Sequence, residues 1–192
     1  MNRKEFFRIF GLSSLALSFP IAVNSKNTSM VKLFFKDDGK IPNNKLPLLL
    51  YQNTFSERNN SGAAWLEEKF ASNNWTNSWR NGVYSFHHYH STSHEVLGVY
   101  SGTALLHLGG EQGEKVSIKA GDIIIIPAGV GHKNLGSTNL GIVGAYPDGR
   151  SWDLLRGLEG ERPQADENIA ALPIPSADPL YGKNGGLLEV WK

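Results

Sequence analysis

Four of the six histidines in this 192-residue chain fall between positions 87 and 94, within Ser85-Phe86-His87-His88-Tyr89-His90-Ser91-Thr92-Ser93-His94-Glu95. A fifth, His132, follows a later apolar run. Neutral imidazole is a ready nitrogen ligand for divalent metals, so the pattern reads as a metal site. Side chains alternate faces along an extended strand, which turns His88 and His90 toward one ion. Glu95 and His132 are the candidates to complete the set. The step from His90 to Glu95 puts the carboxylate on the wrong face of an unbroken strand, but Ser91-Thr92-Ser93 is turn-forming and can reset the register. His94 competes with Glu95, because adjacent residues cannot both face the ion from a regular strand. His87 lies opposite His88 and His90 and is expected at the surface or behind the ligands. His107, inside Thr103-Ala104-Leu105-Leu106-His107-Leu108, reads as an ordinary strand residue and receives no role.

The elements that must hold these residues read as one β-rich domain. A chain of this length with 40% hydrophobic residues can bury one substantial core. Short runs rich in Val, Ile, Tyr and Leu recur between glycine-containing turns at Val96–Tyr100, Thr103–Leu108, Lys115–Ile118, Ile123–Ile126 and Gly141–Tyr146. Such punctuation predicts an antiparallel sandwich or barrel. Ile123–Ile126 is apolar on both faces and belongs inside the wall. Leu46–Tyr51 adds an earlier strand, and Ser61–Phe70 a helix that Ser61 can cap. Trp152–Leu155 and Ala165–Leu172 read as short helices, the second ended by Pro173.

Composition narrows the partners. A net charge of +1 with no long basic run argues against nucleic acid, and the absence of cysteine restricts any metal to nitrogen and oxygen ligands. Small molecules are the expected partners. Met1 to Arg8 is short and basic, and Ile9 to Val23 is apolar but too short and too interrupted to span a bilayer. Residues 1–25 therefore read as an export signal similar to a twin-arginine signal with Lys4 in place of the second arginine. Export would place the protein in the periplasm, free of the membrane after signal removal. Translation from Met30 would leave it cytoplasmic. Residues 1–25 contribute +2, from Arg3, Lys4 and Arg8 against Glu5, so the remainder carries −1.

Two motifs now carry a resemblance. Gly82, His88, His90, Glu95 and Gly102 match the first cupin motif, over 82–102, at each fixed position. Gly121, Pro127, Gly129 and His132 match the second, over 121–136, up to its histidine; Gly136 stands where the family usually places asparagine. Glycines 82 and 102 are expected at turns flanking the ligand strands, and Pro127-Ala128-Gly129 at a bend aiming His132 inward. The chain from 31 to 192 further resembles the YjlB-like group of small bacterial cupins, through Asn74-Trp75-Thr76-Asn77-Ser78-Trp79-Arg80-Asn81-Gly82, Gly144-Ala145-Tyr146-Pro147 and Gly160-Glu161-Arg162-Pro163.

The resemblance implies an all-β, single-domain double-stranded β-helix, a jelly-roll barrel with a few short peripheral helices. It also implies a divalent metal held by His88, His90, Glu95 and His132. Iron, manganese, nickel, cobalt and zinc all suit such a set, which leaves positions open for substrate. Two functions are expected candidates: an oxygenase, isomerase or decarboxylase acting on a small oxygen-rich or acidic molecule, or a non-catalytic cupin whose metal is structural. Tyr84 and Phe86 share the face of His88 and His90 and are expected inside the barrel. Trp75, Trp79 and Arg80 are expected to pack, or to form a lid or a homodimer contact. His87, His94, Tyr84 and Lys133 are the acid–base candidates.

Overall fold

A computed structural model describes residues 29–192, so the export signal expected at 1–25 lies outside the described residues. The elements run β1 (Ser29–Leu33), β2 (Leu48–Gln52), α1 (Asn59–Ser72), β3 (Trp75–Asn81), β4 (Glu95–Leu108), β5 (Glu114–Lys119), β6 (Ile123–Ile126), β7 (His132–Pro147), α2 (Gln164–Ala171) and α3 (Leu187–Val190). All strand pairs are antiparallel, in the order β1-β2-β6-β4-β7-β3, with β5 beside β4. One edge of β4 is divided: Glu95–Gly98 pairs with β6, and Thr103–Leu108 with β5. This is the expected all-β jelly roll.

Alternation along the strands separates two cores. Leu48, Leu50, Leu97, Val99, Ile124, Ile126 and Ile142 fill the barrel interior. Their neighbours Leu49, Tyr51, Val96, Ile123, Ile125, Val143 and Ala145 face outward, where Leu66 and Phe70 of α1 and the C-terminal Leu187 and Trp191 cover them. Ile123–Ile126 is therefore buried on both faces and paired on both edges, which explains why it lacks polar alternation. Burying each such side chain contributes roughly 1.5–3 kcal/mol.

Several sequence readings are corrected. The two runs flanking Gly102 form one strand, β4, with register shifts on either side of that glycine. Gly102 takes φ +67°, and a Cβ there would lie 2.2 Å from the Thr138 carbonyl oxygen, so it serves a bulge and not a turn. Gly82 needs no left-handed backbone. Ser61 does not cap α1; the helix starts earlier and Ser61 Oγ donates to the Arg58 carbonyl. Residues 152–155 are extended, with Leu155 bridged to Tyr89, because the segment is recruited to the site instead of coiling on itself. Strand β3 and helix α3 were not anticipated; β3 is rich in Asn, Ser and Thr, and only its pairing with β7 makes it a strand.

Candidate metal centre

The barrel brings His88, His90, Glu95 and His132 together. His88 and His132 form an isolated antiparallel bridge, each backbone N–H donating to the other's carbonyl. His132 lies opposite Leu108, a residue of the interior core, and Glu95 shares the inward face with Leu97 and Val99. The candidate ligand nitrogens of the three histidines lie within 4.8 Å of one another. His90 Nε2 is 3.6 Å from Glu95 Oε1, and His132 Nε2 is 3.4 Å from Oε2. Ligands about 2.1 Å from a shared ion stand roughly 3–4 Å apart, so the cluster is close to the size an ion requires.

The hydrogen bonds behind the rings decide which nitrogens face inward. His88 Nδ1 meets the Phe86 carbonyl at 3.2 Å, His132 Nδ1 meets that of Val130 at 3.1 Å, and His90 Nδ1 meets that of Asp153. A carbonyl only accepts, so each Nδ1 carries hydrogen and each Nε2 is left as the inward ligand atom. Glu95 is buried; Tyr146 Oη donates to its Oε1 at 2.9 Å, while Oε2 has no hydrogen-bond donor. A buried carboxylate oxygen without a donor costs several kcal/mol unless a cation faces it. The donor set and the orphaned oxygen fit a divalent ion.

Burial opposes charge on Glu95, yet His90 and His132 outweigh it and hold the carboxyl below its ordinary range. For His90, too, burial works against protonation, but Glu95 raises it above the usual histidine value. The ion-free pair thus favours Glu95 as carboxylate with a proton on His90, and an incoming metal must displace that proton.

The lowered histidines make the fold acid-sensitive. Burial, reinforced by His132, holds His88 down to about 2, and burial holds His94 down to about 4. The unfolded chain takes up these protons below about pH 6.5, so stability present above that pH drains as pH falls toward the folded values. Glu95 acts in the same direction below its unfolded value near 4.5. His90 acts oppositely: its contribution is full below about pH 6.5 and lost as pH rises through its raised value. The ion-free protein is expected to lose roughly 2 kcal/mol between pH 7.5 and 5, read from urea midpoints. An unchanged midpoint would contradict two buried neutral imidazoles.

His94 does not join the cluster. It is on the outward face with Val96, its ring 4.9 Å from that of Trp191, and its Nδ1 accepts from the Ala128 N–H. The turn that separates it from Glu95 is pinned by Asp153, whose carboxylate accepts from the Ser91 N–H at 2.6 Å, from Ser91 Oγ, and from the Thr92 N–H at 3.3 Å. Asp153 therefore holds both the turn and, through its carbonyl, the His90 ring. Asp153→Ala is expected to weaken metal binding about 10–100-fold, as for other groups that orient ligands. Isothermal titration of both proteins would measure it.

A cavity of about 330 Å³ opens onto the cluster, walled by Trp79, Tyr84, Leu97, Tyr146 and Trp152. Trp152 lies 5.0 Å from the His90 ring and 5.8 Å from Tyr146, which accepts from Trp79 Nε1 at 2.8 Å. Gly144 makes room for Trp79, since a Cβ there would sit 2.2 Å from the indole. Tyr84 rims the cavity, edge-on to His88 at 5.1 Å. Phe86, expected beside it in the interior, does not line the cavity but stacks on Tyr84, with the Arg156 guanidinium over its ring 4.2 Å from the centroid. Trp75 is core, and Arg80 is held by both carboxylate oxygens of Glu67. His107, expected as an ordinary strand residue, is buried beside His87 and Glu111. Tyr146, Trp152 and Asp153 were missed as site residues, because their roles depend on strand pairing and on a returning loop that periodicity does not reveal.

The cupin-domain sequence model matches residues 80–139, which contain all four clustered residues. The chain is 42% identical over 160 residues to the uncharacterized protein YjlB of Bacillus subtilis, covering 82% of this chain and 94% of that one. Among solved structures, a cadmium-containing acireductone dioxygenase from Bacillus anthracis matches with TM-score 0.33 and 16% identity, over 44% of this chain and 58% of that one. An epimerase of dTDP-6-deoxy-D-glucose from Legionella pneumophila matches with TM-score 0.35 and 14% identity, over 64% and 74% of the two chains. Likeness at that level carries no reading of substrate or reaction. The identity to YjlB across most of both chains does settle the family: this chain belongs to the cupins, in the YjlB-like group.

Proposed function

We propose that the protein is a divalent-metal-dependent enzyme of oxygenase, isomerase or decarboxylase type, acting on a small oxygen-rich or acidic molecule, with His88, His90, Glu95 and His132 as ligands. The observation that carries this reading is the convergence of three inward Nε2 atoms and one donorless carboxylate oxygen beside a solvent-reached cavity. A fold-stapling metal needs no such cavity. When bound, the ion would supply Lewis acidity toward a substrate oxygen and, if iron, a redox centre.

The chain's own residues define the rest. Trp79, Tyr146 and Trp152 form an aromatic wall that suits a compact, partly planar substrate. Arg80 is occupied by Glu67, so a substrate's acidic group finds its counter-charge at the ligand cluster. Of the earlier acid–base candidates, His94 faces outward, and His87 and Lys133 lie with Glu111; Tyr84 alone lines the cavity. Tyr84 is accordingly the residue placed to pass a proton at the cavity mouth.

A second reading, ligand binding without turnover, draws on one observation: besides the four ligands, the titratable residues lining the cavity are Arg80, Tyr84 and Tyr146, and two of these are already engaged. Metal analysis of natively purified protein beside His90→Ala, followed by oxygen uptake and product analysis over a panel of small acids, separates the readings. Metal-dependent turnover supports the enzyme, and binding without turnover the alternative. Wild-type protein that takes up no metal overturns both.

A further inference from the structure

Histidines on the outward side of the same strands remain without a role. After the register shifts around Gly102, Ala104, Leu106 and Leu108 face the interior, which turns His107 outward beside its cross-strand partner Lys133. His87 alternates with His88 and His90 and arrives at the same outer patch. The two rings are 4.8 Å apart, and His87 Nε2 lies 3.2 Å from Glu111 Oε1.

We propose that His87, His107 and Glu111 form a second divalent-cation site, of the zinc class, on the outer face of the barrel wall. One candidate ligand atom from each residue lies within 4.8 Å of the others. Both ring nitrogens of His87 are shielded from solvent and neither makes a hydrogen bond of good geometry; Nε2 approaches only the Glu111 carboxylate, so the imidazole is held in place with lone-pair capacity to spare. Two imidazoles and a carboxylate are a zinc-type donor set that leaves a fourth position for water. Hard cations such as calcium would find one carboxylate where they require several oxygens.

The site has a competitor in Lys133, whose Nζ is 3.3 Å from the same Glu111 oxygen. Lys115, opposite His107 on β5, adds positive charge nearby. Both reduce affinity for a cation, which favours an ion bound strongly by imidazole over one held by charge alone. Glu111 is exposed in the β4–β5 turn and can exchange the lysine for an ion without disturbing the core. The outer site shares no ligand with the inner one.

Zinc titration of the full chain by equilibrium dialysis is the test. Wild type is expected to bind two ions per chain and His107→Gln one. Glu111→Gln, a surface change that leaves the fold intact if His107→Gln does not, is expected to weaken one of the two sites by about tenfold or more. Glu95→Gln is expected to impair the inner site and retain the outer, which separates failure of this proposal from failure of the inner assignment. Unchanged stoichiometry and affinity in both His107→Gln and Glu111→Gln would overturn the second site.

Discussion

Glu95→Gln is expected to lower the affinity of the inner site for a divalent ion by about 100-fold or more, while His94→Gln leaves it unchanged. The substitution preserves shape, and one side-chain oxygen can still accept from Tyr146 Oη. It removes the negative charge that three neutral imidazoles lack, and it presents an amide to His90 or His132, whose inward nitrogens stand 3.6 and 3.4 Å from the carboxylate. In the ion-free protein the same change removes the counter-charge that raises His90. His90 should therefore titrate lower in the variant, which NMR of the ring can follow independently of metal. Equal affinity in the two variants would mean that the carboxylate is not a ligand. His94, packed on Trp191 across the wall, has no path to the ion.

Asp178→Ala is expected to produce the largest loss of stability, about 3–5 kcal/mol, seen as a lower urea midpoint with unchanged slope. Asp178 is fully buried and accepts four hydrogen bonds: from Tyr51 Oη at 2.6 Å, and from the backbone N–H groups of Leu180, Tyr181 and Leu187 at 2.7, 2.8 and 2.7 Å. Truncation leaves those donors in a dry environment. It also loosens the C-terminal cover, in which Trp75 Nε1 donates to the Ala177 carbonyl and Trp191 Nε1 to that of Pro47. Asp178→Asn retains one acceptor oxygen and should fall between wild type and alanine. A loss under 1 kcal/mol for Asp178→Ala would show that water replaces the carboxylate and that the cover is already open.

The division between the two levels of information follows the range of the interactions. Strand alternation is local, so the common face of His88 and His90, the opposite placement of His87, and the doubly buried Ile123–Ile126 were all legible from the order of residues. The barrel was legible from repeated short apolar runs and from the two motifs. Bulges and pairing are not local. Gly102 reads as a turn until Thr138 and Asn139 are seen to occupy the space where a side chain would go, and β3 reads as a loop until β7 supplies its hydrogen bonds.

The choice between His94 and Glu95 shows the same limit within two residues. From spacing alone either could face the ion; the motif match favoured Glu95, and the structure turns it inward because Asp153, some sixty positions away, clamps the intervening turn. Sequence by itself determined the residue types, the ligand-like spacing and the barrel class, since these rest on short periodicities and composition. Tertiary structure alone decided which nitrogens point inward, which aromatic residues wall the cavity, and that His107 meets His87, since these contacts join residues far apart in the chain.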